Sequence, residues 1–449
     1  MTLTSEPLET TSASTEVPRT LLEPTPKTLN LPDQLGLWTN FGVTLLGFAG
    51  AIGVLSPAGF GTLSLAAALV AIVTGTVVGA GALGLAATAG AMTDAPAMVM
   101  LRGLVGGRLS YFPTVLNVLQ CIGWGTFEVV TIATAGHQIA PDVPKWLLVL
   151  VAGALTIAMT IRPLGAIRVV RKYVTAVVLV VLVYLLVQVL RHPLPALNDG
   201  SWSGFWSAVD LPIAVAVSFV PLAADYSRHS RSSRSAFTGA FVGFGVGQIV
   251  CYGIAVLALT TVAKDSGDVA GAFIAVPVGT LCFAILAIRE LDLSFADVYS
   301  TAVSIQNACP HWDRRILAVA IGLTTTALGL WLGVDSYPNF LYLLGSVFVP
   351  LTAVLLVDFF LVSRGSWDIA HNAPARWGNF IPWILGFCTY QLINPGSVDG
   401  WTSMWKSIAD GIGFTPQTWM SASISSLLVA GIATLLVGLP GRGSRQVSG

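Results

Sequence analysis

Residues 285–303, ILAIRELDLSFADVYSTAV, place Arg289, Glu290, Asp292 and Asp297 inside an otherwise apolar run. A charge is costly to hold in hydrocarbon, so an ionisable cluster at that depth marks a binding site or a pathway. On a helix advancing about 100° per residue, Glu290, Ser294, Asp297, Thr301 and Ser304 fall on one stripe, polar from end to end. Arg289 and Asp292 lie off the stripe but near enough for local charge pairing. A second set, Asn117, Gln120, Trp124 and Glu128, recurs at helical spacing in PTVLNVLQCIGWGTFEVVTIATAG. An indole face stacks on a flat heteroaromatic ring, and a carboxylate one turn away accepts hydrogen bonds from ring and exocyclic N–H groups. Planar, nitrogen-rich solutes fit that pair. The competing readings are an interfacial charge cluster whose side chains snorkel to water, and a Trp124 that faces lipid.

The elements that must position these residues follow from composition. The chain has 449 residues, 54% hydrophobic and 10% charged, which describes an all-α polytopic membrane protein. A span takes roughly 20 apolar residues, and about twelve such segments succeed one another. They centre near Leu46, Ile72, Trp124, Val151, Val180, Val217, Val246, Ile285, Ile321, Phe348, Leu385 and Leu428. The Ser/Thr/Pro/Glu-rich stretch 1–32 lacks the apolar core of a signal peptide and is expected to be a disordered cytoplasmic tail, with 439–449 a second tail. With both termini inside, seventeen of the 22 Lys and Arg fall on the cytoplasmic side. That asymmetry is the one insertion into a cell membrane requires.

Net charge is zero, which gives no ground for a nucleic-acid partner, and nothing in the sequence implies an oligomer. The five cysteines and five histidines show no metal-ligand spacing, and no phosphate loop or nucleophile triad is present in the sequence. An enzyme, a cofactor and a metal centre are therefore not expected.

Transporters often carry inverted repeats whose first helices are broken at matching places. LLGFAGAIG in segment 1 (Gly47, Gly50, Gly53) and VSFVPLAADYS in segment 6 (Pro221) are such interruptions, offset by about 170 residues. The same offset relates Glu128 to Asp297. Segments 1–5 (33–190) and 6–10 (205–362) then form a five-plus-five inverted repeat, with segments 11 and 12 (376–438) appended.

Three stretches carry a resemblance: PAMVMLRGLVGGRLSYFPTVLNVLQCIGWGTFEVV, FVPLAADYSRHSR and FADVYSTAVSIQN. Together they resemble the nucleobase/cation symporter family, in particular its purine and cytosine permease branch. The resemblance implies twelve transmembrane helices of the sodium-symporter (leucine-transporter-like) type, with a site between broken segments 1 and 6 and segments 3 and 8. It implies that Trp124 stacks on the substrate, with Glu128 one turn on and Asp297 touching the base. Gly47, Phe48 and Ala49 fall in the implied segment 1 break, and Ser218 and Phe219 in that of segment 6. Phe219 stands where many relatives have a second tryptophan, so stacking on that side is expected to be weaker or sized for a different ring. Sodium-using relatives place segment 8 hydroxyls where this chain has Leu291 and Asp292. A leucine ligates no ion, so Glu290 and Asp292 are expected to couple transport to a proton rather than to sodium.

The expected function is import of a nucleobase, cytosine or a purine, by cation symport with alternating access. The alternatives are a permease of the same family for hydroxymethylpyrimidine, thiamine, allantoin or a hydantoin, and a non-transporting sensor or channel with the same fold.

Overall fold

The computed structural model describes residues 18–161, 173–262, 269–333 and 337–438. The tails at 1–17 and 439–449, with Arg162, Arg168, Arg171, Lys172, Lys264, Arg442 and Arg445, lie outside the described residues.

Segment 1 is two helices, α1 (Leu31–Gly42) and α2 (Leu45–Leu55), bent by 47° at their junction. Asn30 and Asp33 form a reciprocal capping box at the start of α1, with Pro32 in the first turn, where no amide is missed. The junction is Val43 and Thr44, both in extended conformation, and the Thr44 hydroxyl caps α2 by accepting from Leu46 N at 3.1 Å. The break therefore precedes Gly47, Phe48 and Ala49, which continue as helix. β-branched residues that favour extended backbone end α1, and the glycines expected to do so do not.

Then follow α3 (Leu65–Thr93), α4 (Ala97–Val105), α5 (Tyr111–Ile139), α6 (Lys145–Ile161) and α7 (Thr175–Leu190). Segment 6 is again divided, into α8 (Phe205–Ser218) and α9 (Val220–Ser227), with Pro221 in the first turn of α9. Helix α10 (Ser233–Thr261) contains a π-helical turn at Gly239–Phe244 and is followed by α11 (Val269–Ala275). Segment 8 is α12 (Gly279–Arg289) and α13 (Leu291–Ala308), joined at Glu290. The chain ends with α14 (Arg314–Gly329), α15 (Tyr337–Val357), α16 (Phe380–Ile393), α17 (Trp401–Gly411) and α18 (Ala422–Gly438).

Among the described residues five helical stretches are long and apolar enough to cross a membrane, or six with the bent pair α1–α2. The other expected spans are shorter or interrupted: α6, α7 and α18 have 17, 16 and 17 residues, and segment 8 is divided at its charge cluster. Close packing rests on small residues. A Cβ on Gly75 would lie 2.5 Å from Val209 O, and one on Gly79 2.7 Å from Ala216 Cβ, so α3 and α8 touch nearly backbone to backbone. Large apolar side chains such as Val180, Ile316 and Leu428 point outward.

Residues 18–30, the described part of the expected tail, make contacts with the rest of the molecule. They run across the face where α3, α9 and α13 end. Leu21 N donates to Pro310 O (3.2 Å), Gln306 Nε2 to Arg19 O (2.7 Å), and Lys27 pairs with Asp94. Leu29 forms a parallel bridge with Ser230. Beside it, burial and the neighbouring Arg228 push the His229 imidazole down to about 3, so it is neutral and donates from Nδ1 to Pro26 O at 2.9 Å. Composition indicated disorder, but the backbone groups of this stretch find partners in the loops they cross.

Candidate functional site

The two breaks and three further helices enclose one cavity at the centre of the molecule. Thr44 reaches it from the α1–α2 junction, Ser218 and Phe219 from the α8–α9 junction, Trp124 and Glu128 from α5, Asp297 from α13 and Tyr337 from α15. Val215, Leu222 and Leu293 complete the wall. Its inner space is narrow, about 20 Å³, room for about one water.

Trp124, Phe219 and Ser218 are each held by neighbouring groups. Trp124 is braced edge-on by Tyr337 and Phe340, with ring centroids 5.8 and 5.4 Å away. Phe219 stacks on Phe41 at 5.7 Å and 21° and meets Phe244 edge-on at 5.2 Å. The break at Phe219 frees the Ser218 carbonyl, and Gln120 Nε2 donates to it at 3.1 Å while also donating to Asn117 Oδ1 at 2.8 Å. Asn117 in turn donates to Ser304 Oγ at 2.9 Å, tying α5 to α13. Glu128 is within electrostatic reach of Glu290, Asp297 and Arg289.

Against this order, Trp124 Nε1, Glu128 Oε2 and Gln120 Oε1 are buried without a hydrogen-bond partner among the described residues. An indole N–H donates and carboxylate and amide oxygens accept, so this wall and its border offer both kinds of hydrogen-bonding group. The family model for permeases for cytosine/purines, uracil, thiamine and allantoin matches residues 33–380, and every residue of this wall falls within that range.

The chain belongs to this permease family. It is 26% identical over 331 residues to YxlA of Bacillus subtilis (strain 168), described as a purine-cytosine permease, covering 67% of this chain and 70% of YxlA. It is 23% identical over 300 residues to the purine-cytosine permease fcyB of Emericella nidulans, covering 60% of this chain and 58% of fcyB. Among solved structures, Mhp1, a nucleobase-cation-symport-1 family transporter, in a closed conformation with bromovinylhydantoin bound, superposes with a TM-score of 0.72. The two are 17% identical, over 94% of this chain and 96% of Mhp1. The inward-facing conformation of Mhp1 gives a TM-score of 0.69 at 15% identity, over 95% and 94% of the two chains. At these identities the likeness establishes the fold.

In this permease the residues singled out from sequence do not all reach the cavity. Trp124, Glu128, Ser218, Phe219 and Asp297 line it together. Gly47 and Phe48 do not. A Cβ on Gly47 would press on Thr44 and Tyr252, and Phe48 packs on Phe273 at 4.9 Å, so this part of α2 turns toward α10 and α11. Ala49 lies farther along α2.

The segment 8 stripe also divides. Ser294 Oγ accepts from Thr156 of α6 (2.9 Å), Thr301 donates to Asp297 O in its own helix (2.7 Å), and Ser304 serves Asn117. A helix packed on several neighbours gives each rung of such a stripe a different partner, and only Asp297 opens on the cavity. Asp292 is buried outside that wall. Glu290 meets the α1–α2 junction, where its carboxylate accepts from Leu45 N at 2.8 Å and Thr44 Oγ1 at 3.2 Å.

Sequence reasoning missed Thr44 and Tyr337. Thr44 carried a weak signal as a hydroxyl next to the glycine run, and Tyr337 carried none, since only the fold brings the start of α15 beside Trp124. Asp225 and Asp358 have structural work. Asp225 accepts from Ala97 N at the start of α4 (2.9 Å), and Asp358 forms a two-pronged ion pair with Arg376 while accepting from Trp367 and Ser363.

Proposed function

We propose that this permease imports a nucleobase, cytosine or a purine, by proton-coupled symport with alternating access. One observation carries the reading: an indole, a phenyl ring and two carboxylates line one cavity between the two broken segments. Trp124 and Phe219 offer faces to a flat ring, while Glu128 and Asp297 accept from its N–H edge. That fcyB is a purine-cytosine permease, and that YxlA carries the same designation, favours this class within a family that also takes uracil, thiamine and allantoin.

In this reading the twelve expected segments all span the cell membrane and form the five-plus-five repeat over 33–190 and 205–362. Two segments broken midway, and Glu128 and Asp297 on adjoining helices lining one cavity, support it. The strapped face carries Arg19, Lys27, Arg102, Arg228 and Arg314, and it is assigned to the cytoplasm on that charge. Glu128, Glu290, Asp292 and Asp297, with Arg289 among them, are the groups from which the coupling proton site is drawn.

Uptake of radiolabelled cytosine, adenine and hypoxanthine into proteoliposomes, each with and without a proton gradient, tests this. Uptake of at least one base that rises with an inward proton gradient and collapses with a protonophore is expected. Uptake displaced only by unlabelled allantoin, thiamine or a hydantoin would move the substrate elsewhere in the family, and absence of counterflow for every heterocycle would end the transport reading.

A further inference from the structure

The junction in segment 1 leaves two unfinished helix ends near one another: the carbonyl end of α1, which is electronegative, and the amide end of α2, which is electropositive. Arg289 and Glu290, consecutive at the α12–α13 joint, meet them with complementary charges. Arg289 Nη2 donates to Asn40 O in the last turn of α1, and the Glu290 carboxylate accepts from Leu45 N and the Thr44 hydroxyl at the start of α2. The two side chains are paired at 3.0 Å and the residues are 2% and 1% exposed, so this is a buried ion pair whose ends are both engaged. Thr44 also lines the cavity, which puts the pair directly behind the binding site.

Asn40 O and Glu290 Oε1 both receive the Arg289 guanidinium, and the Thr44 hydroxyl joins this set of oxygens through the second Glu290 oxygen. Carbonyls freed by an unwound helix, together with hydroxyl and carboxylate oxygens, are the ligands a hard monovalent cation takes in such transporters. Here the positive centre is covalently attached. Unlike a bound ion, it cannot leave.

Resting on the transport reading, we propose that Arg289 is a resident cation in the segment 1 break. It does permanently what a bound sodium ion would do between the two half-helices and segment 8. The permease therefore binds and carries its substrate without sodium, and coupling falls to another ion. Arg289 acts as a positioning residue: it holds the junction, and through Thr44 the adjoining cavity wall, in the closed arrangement.

The test compares thermal unfolding of the purified, detergent-solubilised full-length protein in sodium chloride and in choline chloride of equal ionic strength. The wild type should melt at the same temperature in both. Arg289→Ala leaves the oxygen set with an uncompensated carboxylate, so it should melt lower in choline and recover by about 2 °C or more in sodium. Arg289→Lys, which keeps a charge on a tether, should fold and stay indifferent to sodium. A wild type stabilised by sodium, or an Arg289→Ala protein that folds and ignores it, would overturn the proposal. Should Arg289→Ala fail to fold in either salt, a sodium-stabilised Arg289→Lys protein would overturn it and an indifferent one would support it. Base uptake into proteoliposomes should be unchanged when choline replaces sodium, and a requirement for sodium would sink the idea. If no heterocycle is carried in either salt while the melting pattern holds, the transport reading fails and the resident cation stands.

Discussion

Glu128 and Trp124 are one helical turn apart on α5, and each keeps a polar atom unpaired at the cavity. Removing the Glu128 charge while keeping its shape should therefore act on the ligand more than on the fold. Glu128→Gln is expected to insert and purify normally and to lose about 10- to 100-fold in affinity for the transported base, the scale of a hydrogen bond to a charged group. Competition uptake measures this, and unchanged uptake of every base tested would remove Glu128 from the site. Trp124→Ala should cost roughly ten-fold in the same assay through lost stacking. Gln120 belongs to the same scale but acts on the backbone: it holds the carbonyl that the segment 6 break sets free. Gln120→Leu, similar in size without the amide, is expected to lower thermal stability by about 1–3 kcal/mol because Ser218 O is left buried and unpaired.

At the scale of elements, the site exists because two helices stop in mid-course, each for a local reason. Val43 and Thr44 prefer extended backbone, and Pro221 begins a new helix where no amide donor is needed. The close approach of α3 to α8 then brings the broken segment against its neighbours. Gly79→Leu should force these helices apart, lowering the folded yield and costing about 1–3 kcal/mol in thermal stability. Gly81, which faces open space on the same helix, should tolerate leucine in the same measurement. Equal effects at both positions would show that the α3–α8 contact is not what matters.

At the scale of the whole molecule, the cavity of about 20 Å³ must widen to take up a ring of the size proposed above. On the strapped face a larger chamber of about 290 Å³ lies under residues 18–25, bordered by Asp94, Val99, Arg102 and Arg228. The strap touches α3 through Lys27 and Asp94, and the far side of the chamber through Pro310 and Arg314, so it bridges parts that would separate on opening toward that face. Truncation after residue 25 should raise the labelling rate of a Val99→Cys protein by a membrane-impermeant maleimide several-fold. An unchanged rate would show that the strap does not restrict access.

What could be known from sequence alone was set by the solvent and by helical periodicity. A chain this apolar must bury its backbone polar groups in helices, and acidic residues within such helices must face inward, so the inward position of Glu128 and Asp297, on one cavity with Trp124 and Phe219, was legible. The tertiary structure decided what depends on distances between segments. It separated Asp297, on the cavity, from Ser294 and Ser304, on neighbouring helices. It moved the segment 1 break to Val43 and Thr44, where Gly47 and Phe48 had been expected to lie. It also turned Arg289 and Glu290 from an ionic cluster into a clasp on that break. Periodicity reports which residues share a face, whereas a contact across some 250 residues of chain, such as Arg289 with Asn40, is fixed only when the helices pack.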